Sequence, residues 1–149
     1  MRKFLFFIAL AICCNAMAEK TIVTSGYCYG MAASFKDSTV YITEIQSIDS
    51  LYMNSKTGFI LGRDNYSLQL KYYVESTFNE KHKTCIFVYD LKRKNLQKKY
   101  DKMMKKYKSG TFIVKNINES DFKFTPVDMS ESVPQNAPEK TKKEKAKKK

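Results

Sequence analysis

The chain has 149 residues, a formal charge of +12, 43% apolar residues, one histidine and no tryptophan. A length of this order carries one hydrophobic core, not two. A single histidine, no C-x-x-C pair and no acidic cluster leave no ready metal or dithiol redox site.

The first residues read as an export signal. Arg2 and Lys3 precede Phe4–Cys14, an unbroken apolar run of eleven residues. That is well short of the roughly 20 needed to span a bilayer. Asn15-Ala16-Met17-Ala18 then puts small residues where a signal peptidase reads, so cleavage is expected between Ala18 and Glu19. The prediction is a cleaved signal peptide over 1–18 and a protein exported to the periplasm, the cell surface or the medium. Neither Cys13 nor Cys14 follows a small residue, which argues against a lipid anchor.

Removal of the signal leaves Cys28 and Cys85, 57 positions apart. In an oxidising compartment the expectation is one disulfide, closing a loop worth about 4 kcal/mol in the chain-entropy model. The alternative is a pair of buried free thiols behaving as small apolar residues.

From Met129 the composition changes. There is no aromatic residue and no apolar period; Pro134 and Pro138 interrupt the segment, and it ends in a lysine run. Residues 129–149 are therefore expected to be disordered, and 19–128 to form a single compact domain. The domain carries 18 basic and 12 acidic residues, net +6. Lys92–Lys108 alone holds nine basic residues against Asp101, net +8, so the rest of the domain is −2. The basic character belongs to one segment and one tail.

Along the domain, Tyr27, Tyr29, Met31, Ala33 and Phe35 alternate with Cys28, Gly30, Ala32 and Ser34. This predicts a strand with a large-residue face and a small-residue face. Lys36-Asp37-Ser38 has turn chemistry. The β-branched and aromatic run Val40–Thr43 with Ile45 completes a hairpin. Ile48, Leu51, Tyr52 and Met53 suggest a short helical turn. Asp64 or Asn65 caps a helix whose core face is Tyr66, Leu70, Tyr73, Val74 and Phe78. Thr84–Tyr89 is continuously apolar after its first residue and suits a strand covered on both faces. Asp90 is placed to cap the basic helix, and Gly110 to stop it. Thr111–Ile117 reads as another strand. Phe122, Phe124 and Val127 suggest an edge strand that tolerates Pro126.

The order β-β-α-β-α-β, with a last strand at the end, predicts an α+β or α/β two-layer sandwich. It would have a mixed sheet of four or five strands and both main helices on one face. The link from 84–89 through the basic helix to 111–117 would be a parallel crossover.

At about 100° per residue, Leu96, Tyr100, Met103, Met104 and Tyr107 form one apolar stripe of the basic helix. Lys94, Lys98, Lys99, Lys102, Lys105 and Lys106 fall outside it. Like charges at i,i+4 cost a few tenths of a kcal/mol per pair. A helix selected only for solubility could avoid that cost with mixed charge. Two readings of the lysine face stand: an anion-binding surface, or a solvated face. The tyrosines share the apolar stripe and are not free to stack on bases, so nucleic acid is disfavoured. Export favours an anionic membrane surface or an acidic glycan, and lysine in place of arginine suits diffuse charge attraction.

No catalytic motif stands out. His82 lies among charged residues in Glu80-Lys81-His82-Lys83, and a Ser67/His82/Asp64 triad is one that most chains could supply. Arg63, Tyr66 and Gln69, near a helix start, are readable as an anion site or as core and cap residues.

Four stretches, Phe35-x-Asp37-Ser38-x-Val40-Tyr41, Arg63-x-x-Tyr66-Ser67-x-Gln69-Leu70-Lys71, Thr84-Cys85 and Asp121-Phe122-x-Phe124, resemble small exported proteins of the Bacteroidota. The resemblance implies a Gram-negative periplasmic or surface setting and assigns no activity and no site residues. The expectation is a non-catalytic binding or envelope-associated accessory protein without cofactor. The alternatives are an interaction module presenting the sheet edge near 111–127 to another exported protein, and a small hydrolase.

Overall fold

The computed structural model describes residues 21–132. The expected signal peptide over 1–18 and all of the expected disordered tail except 129–132 lie outside the described residues; within that tail, Ser130–Ser132 form a short 3-10 turn. Five strands and two helices follow in the order β1 (Thr21–Ala33), β2 (Thr39–Thr43), β3 (Gln46–Asn54), α1 (Arg63–Phe78), β4 (Thr84–Asp90), α2 (Arg93–Lys108), β5 (Ile113–Ile117). The class is α+β with a mixed sheet, as the element order predicts.

β1 organises the sheet. Tyr27 and Cys28 pair with Ser47 and Gln46 on one side and with Asp90 and Tyr89 on the other. Met31 and Ala32 pair with Ile42 and Tyr41 of β2, and also with Ile86 and Cys85 of β4. β4 therefore occupies one edge of β1, while β2 and β3 share the opposite edge end to end. β5 adds to β2 in parallel, Thr39 opposite Ile113 through Thr43 opposite Ile117. Since β2 and β4 both run antiparallel to β1, β4 and β5 are parallel, and α2 crosses β1 and β2 to join them.

The predicted placement of both helices on one face is corrected. Cys28, Ala32, Tyr41 and Phe87 pack with Tyr66, Leu70 and Val74 of α1. Their neighbours Tyr29, Met31, Val40 and Ile42 pack with Leu96 of α2. Successive strand residues point to opposite faces, so the helices cover opposite sides and the molecule has three layers. The continuous apolar run of β4 reflects this: Phe87 faces α1, and Ile86 and Val88 face α2.

The small-residue face of β1 serves α1. A Cβ on Gly30 would lie 2.7 Å from Leu70 Cδ2 and 2.8 Å from Phe124. Above it, Tyr66 stacks on Phe87 with ring centroids 4.5 Å apart.

The expected helical turn near Ile48 is a strand, and the expected strand at 122–127 is not one. Between Gly26↔Ile48 and Thr24↔Leu51 the register shifts by one residue, and Ser50 sits there at φ 56°. Residues 122–127 run alongside α1 without a strand partner. Gln46 donates through Nε2 to the Phe122 carbonyl and accepts from the Phe124 amide at 3.0 Å. The Val127 amide donates to Tyr66 Oη, and Gln69 Oε1 accepts from the Thr125 amide. Side chains here take the place of a β-ladder, so on this side of the sheet the edge strand is β5, without 122–127.

The expected disulfide is also corrected. Cys28 and Cys85 are free thiols. Cys85 lies opposite Ala32, four residues along β1 from Cys28, which is about 13 Å at strand spacing. A disulfide requires Cα atoms within about 7 Å. Both thiols are held protonated at neutral pH: burial, with a contribution from Glu119, pushes Cys28 up to about 12. Burial pushes Cys85 up to about 11.

Candidate functional site: a lysine-flanked trough beside α2

α2 spans Arg93–Lys108 without a side-chain N-cap. Asp90 ties its entry instead, accepting from the Lys92 amide at 3.0 Å and from Lys99 Nζ at 2.8 Å. Partial burial would raise the Asp90 carboxyl, but these bonds outweigh it and hold it below its ordinary value. Gly110 follows the C-cap residue Ser109 without a positive φ. A Cβ there would meet Phe112 at 3.0 Å, so Gly110 makes room for that ring.

The predicted apolar stripe packs on the sheet. Leu96 is fully buried, and Tyr100, Met103, Met104 and Tyr107 are partly buried against it. Tyr29 meets Tyr100 edge-on at 5.1 Å, and burial pushes the Tyr29 phenol up to about 12.

All six predicted lysines are exposed, but they do not form one face. Relative to Leu96, helix geometry places Lys94, Lys98 and Lys105 at roughly 160–200°, pointing away from the sheet. Lys99, Lys102 and Lys106 fall at roughly 240–300°, flanking the apolar stripe on one side. These three border a cavity of about 540 Å³ whose other walls are Tyr29, Met31, Val88, Met103 and Tyr107. A second cavity of about 350 Å³ shares Met31, Lys106 and Tyr107 and continues past Ala33 and Ile86 to Phe35 and Phe112. Together they make an open trough between α2 and the β4 side of the sheet, apolar within and cationic along its helix wall.

The three lysines are not equivalent. Lys99 is paired with Asp90. Lys106 Nζ lies 5.9 Å from the Tyr107 ring centroid. Lys102 has no ion pair among those found in the described residues.

The other sequence candidates do not converge. Tyr66 is core, Gln69 holds Thr125, and Arg63 Nε donates to the Phe87 carbonyl at 3.2 Å. These are packing and bracing roles. Asp64 and Ser67 lie near the start of α1, while His82 lies beyond its C-terminus. Roughly 16 Å of helix separates Ser67 from the far end, so the nominal triad is not assembled.

Two features escaped the sequence pattern. The trough lining from the sheet, Tyr29, Met31 and Val88, reads as ordinary core alternation, and only the three-dimensional gap beside α2 makes these residues a wall. Lys83, set in a charged tetrapeptide, is buried, with its side chain 1% exposed. Its ammonium bonds Asp37 and the Thr39 carbonyl and lies 3.7 Å from Glu80. The nearest sequence signal is Asp37 itself, whose turn role is realised by accepting from the Thr39 amide.

Comparison with protein-family models, with curated proteins and with solved structures finds no match to the chain.

Proposed function

We propose that this chain is an exported, non-catalytic binding module that docks on anionic lipid through the trough beside α2. The observation that carries the reading is the placement of Lys99, Lys102 and Lys106 along one wall of an otherwise apolar groove. Cations beside exposed apolar surface match an amphiphile: lysines face phosphate or carboxylate head groups, and the groove receives hydrocarbon. An acidic glycan fits less well, since the sheet side of the trough offers methionine and valine where sugar hydroxyls need hydrogen-bonding partners.

The test uses charge-matched double variants of the full chain. Lys102→Gln/Lys106→Gln removes two lysines beside the trough; Lys98→Gln/Lys105→Gln removes two that point outward. Lys99 is left intact because it braces the helix entry. Co-sedimentation with vesicles of phosphatidylglycerol and phosphatidylcholine is measured against pure phosphatidylcholine vesicles. At about 1 kcal/mol per lysine, the trough pair weakens anionic-vesicle binding by roughly 30-fold, and the outward pair by clearly less. Equal losses would remove the trough from the reading and leave only diffuse charge. Binding that ignores lipid charge, or persists undiminished at high salt, would overturn it altogether.

A second reading, an interaction module, is favoured by the edge of β5. That strand pairs only with β2, and Ile113 is largely exposed. A free edge of this kind accepts an added strand from a partner.

A further inference from the structure

We infer that the β1–β2 turn is a bilayer-insertion tip, with Phe35 entering the interface of an anionic membrane; this rests on the lipid reading above. The period-two pattern of β1 predicts Phe35 on the core face, in line with Tyr29 and Met31. Instead the strand ends at Ala33, and Phe35 is 107% exposed.

Its turn is tied down. The Lys36 amide donates to Ser34 Oγ at 3.0 Å, and the Thr39 amide donates to Asp37 Oδ1 at 2.9 Å. The buried Lys83 ammonium grips both Asp37 and the Thr39 carbonyl. A phenylalanine held in water by a braced turn is an apolar group presented outward.

The surroundings specify the partner. Phe112, 41% exposed, lines the same cavity as Phe35, and the next residue, Ile113, is 58% exposed. Lys36 adjoins Phe35, Lys106 lines the same cavity as Phe35, and Lys108 ends α2, which leads to Phe112. The acids of this end, Asp37 and Glu80, are both engaged by Lys83. Exposed aromatic groups ringed by unopposed lysines match the boundary between acyl chains and anionic head groups. The trough runs out at this same end, so a tip seated in the interface puts its mouth against the lipid.

The chain contains no tryptophan, so Phe35→Trp gives a single reporter. With vesicles containing phosphatidylglycerol, its emission is expected to shift to the blue and to be quenched by lipids brominated near the head group. Phe35→Ser is expected to weaken co-sedimentation about tenfold, a difference of about 1.4 kcal/mol. Phe59→Ser, at an exposed phenylalanine in the loop after β3, is expected to leave binding unchanged. If Phe35→Trp co-sediments with these vesicles but its emission does not move, the tip is overturned and the lipid reading survives. Equal losses from Phe35→Ser and Phe59→Ser also overturn the tip. If the unaltered chain shows no preference for anionic vesicles, both readings fall.

Discussion

A single buried ammonium decides how one end of this molecule is built. Lys83 is taken out of water and is tolerated because two carboxylates and a carbonyl surround it, as a buried charge requires. Its main partner, Asp37, is itself exposed, and the hydrogen bond from Lys83, aided by the Thr39 amide, lowers its carboxyl below the ordinary 3.8. A lowered carboxylate contributes stability that is complete above its unfolded value and fades as pH falls through the folded one. Asp37→Asn is therefore expected to melt below the unaltered protein at neutral pH. The gap should close as the solution is acidified beneath pH 3.8, read by thermal unfolding across a pH series. A gap that stays constant into strong acid would mean that the turn does not depend on this pair. The sequence shows the Asp37 turn plainly but hides its partner. Lys83 is 46 residues away, and nothing in a charged tetrapeptide marks one lysine as the buried one.

At the level of elements, what the sequence reveals depends on whether periodicity survives into three dimensions. β4 and α2 keep an unbroken pattern and are legible to within a few residues, whereas β1, read over Tyr27–Phe35, begins six residues earlier at Thr21 and ends at Ala33. β3 is not, and the reason is local. Gln46 and Ile48 face inward, then one extra residue intervenes, and Leu51 and Met53 face inward again. A bulge of this kind turns strand spacing into the i, i+3 spacing of a helix. Ser50 takes the left-handed conformation there, which costs an L-residue about 1–2 kcal/mol and glycine nothing comparable. Ser50→Gly is expected to raise stability by up to about 1 kcal/mol in chemical denaturation, after the loss of strand entropy is subtracted. A marked loss would mean that the Ser50 side chain is needed at the bulge. The failed strand at 122–127 has the opposite cause. Its alternation is real, but Gln46, Tyr66 and Gln69 supply the hydrogen bonds that a neighbouring strand would provide. The six lysines of α2 were legible as residues, whereas their division into an outward set and a trough set depends on where the sheet lies.

For the whole molecule, the layering was legible only in part. Alternation along β1 offers two faces, one small and one large, yet it does not say that each receives a helix. The close approach at Gly30 and the aromatic stack above it build the α1 side. The methionine and tyrosine side packs α2 less completely and leaves the trough. The same arrangement separates the two cysteines along one strand pair, so covalent closure contributes nothing to stability. A reducing agent is accordingly expected to leave the melting temperature unchanged. Alkylation of Cys28, which is fully buried, should require unfolding. A drop in melting temperature on reduction, or an intact mass two hydrogens below the free-thiol value, would contradict the strand register.

Gln46 has a consequence for how the chain comes together. Its amide is buried, and both of its bonds reach to residues 122 and 124, more than seventy positions later. The long strand that opens the domain likewise waits for β4, whose pairing with it spans more than fifty residues. Such distant closures are slow relative to local ones. A ribosome releasing this chain from its N-terminus exposes half a sheet with no second edge and an amide with no partner. Final packing therefore waits until residues 122–124 have been made, and the chain before them stays open until then.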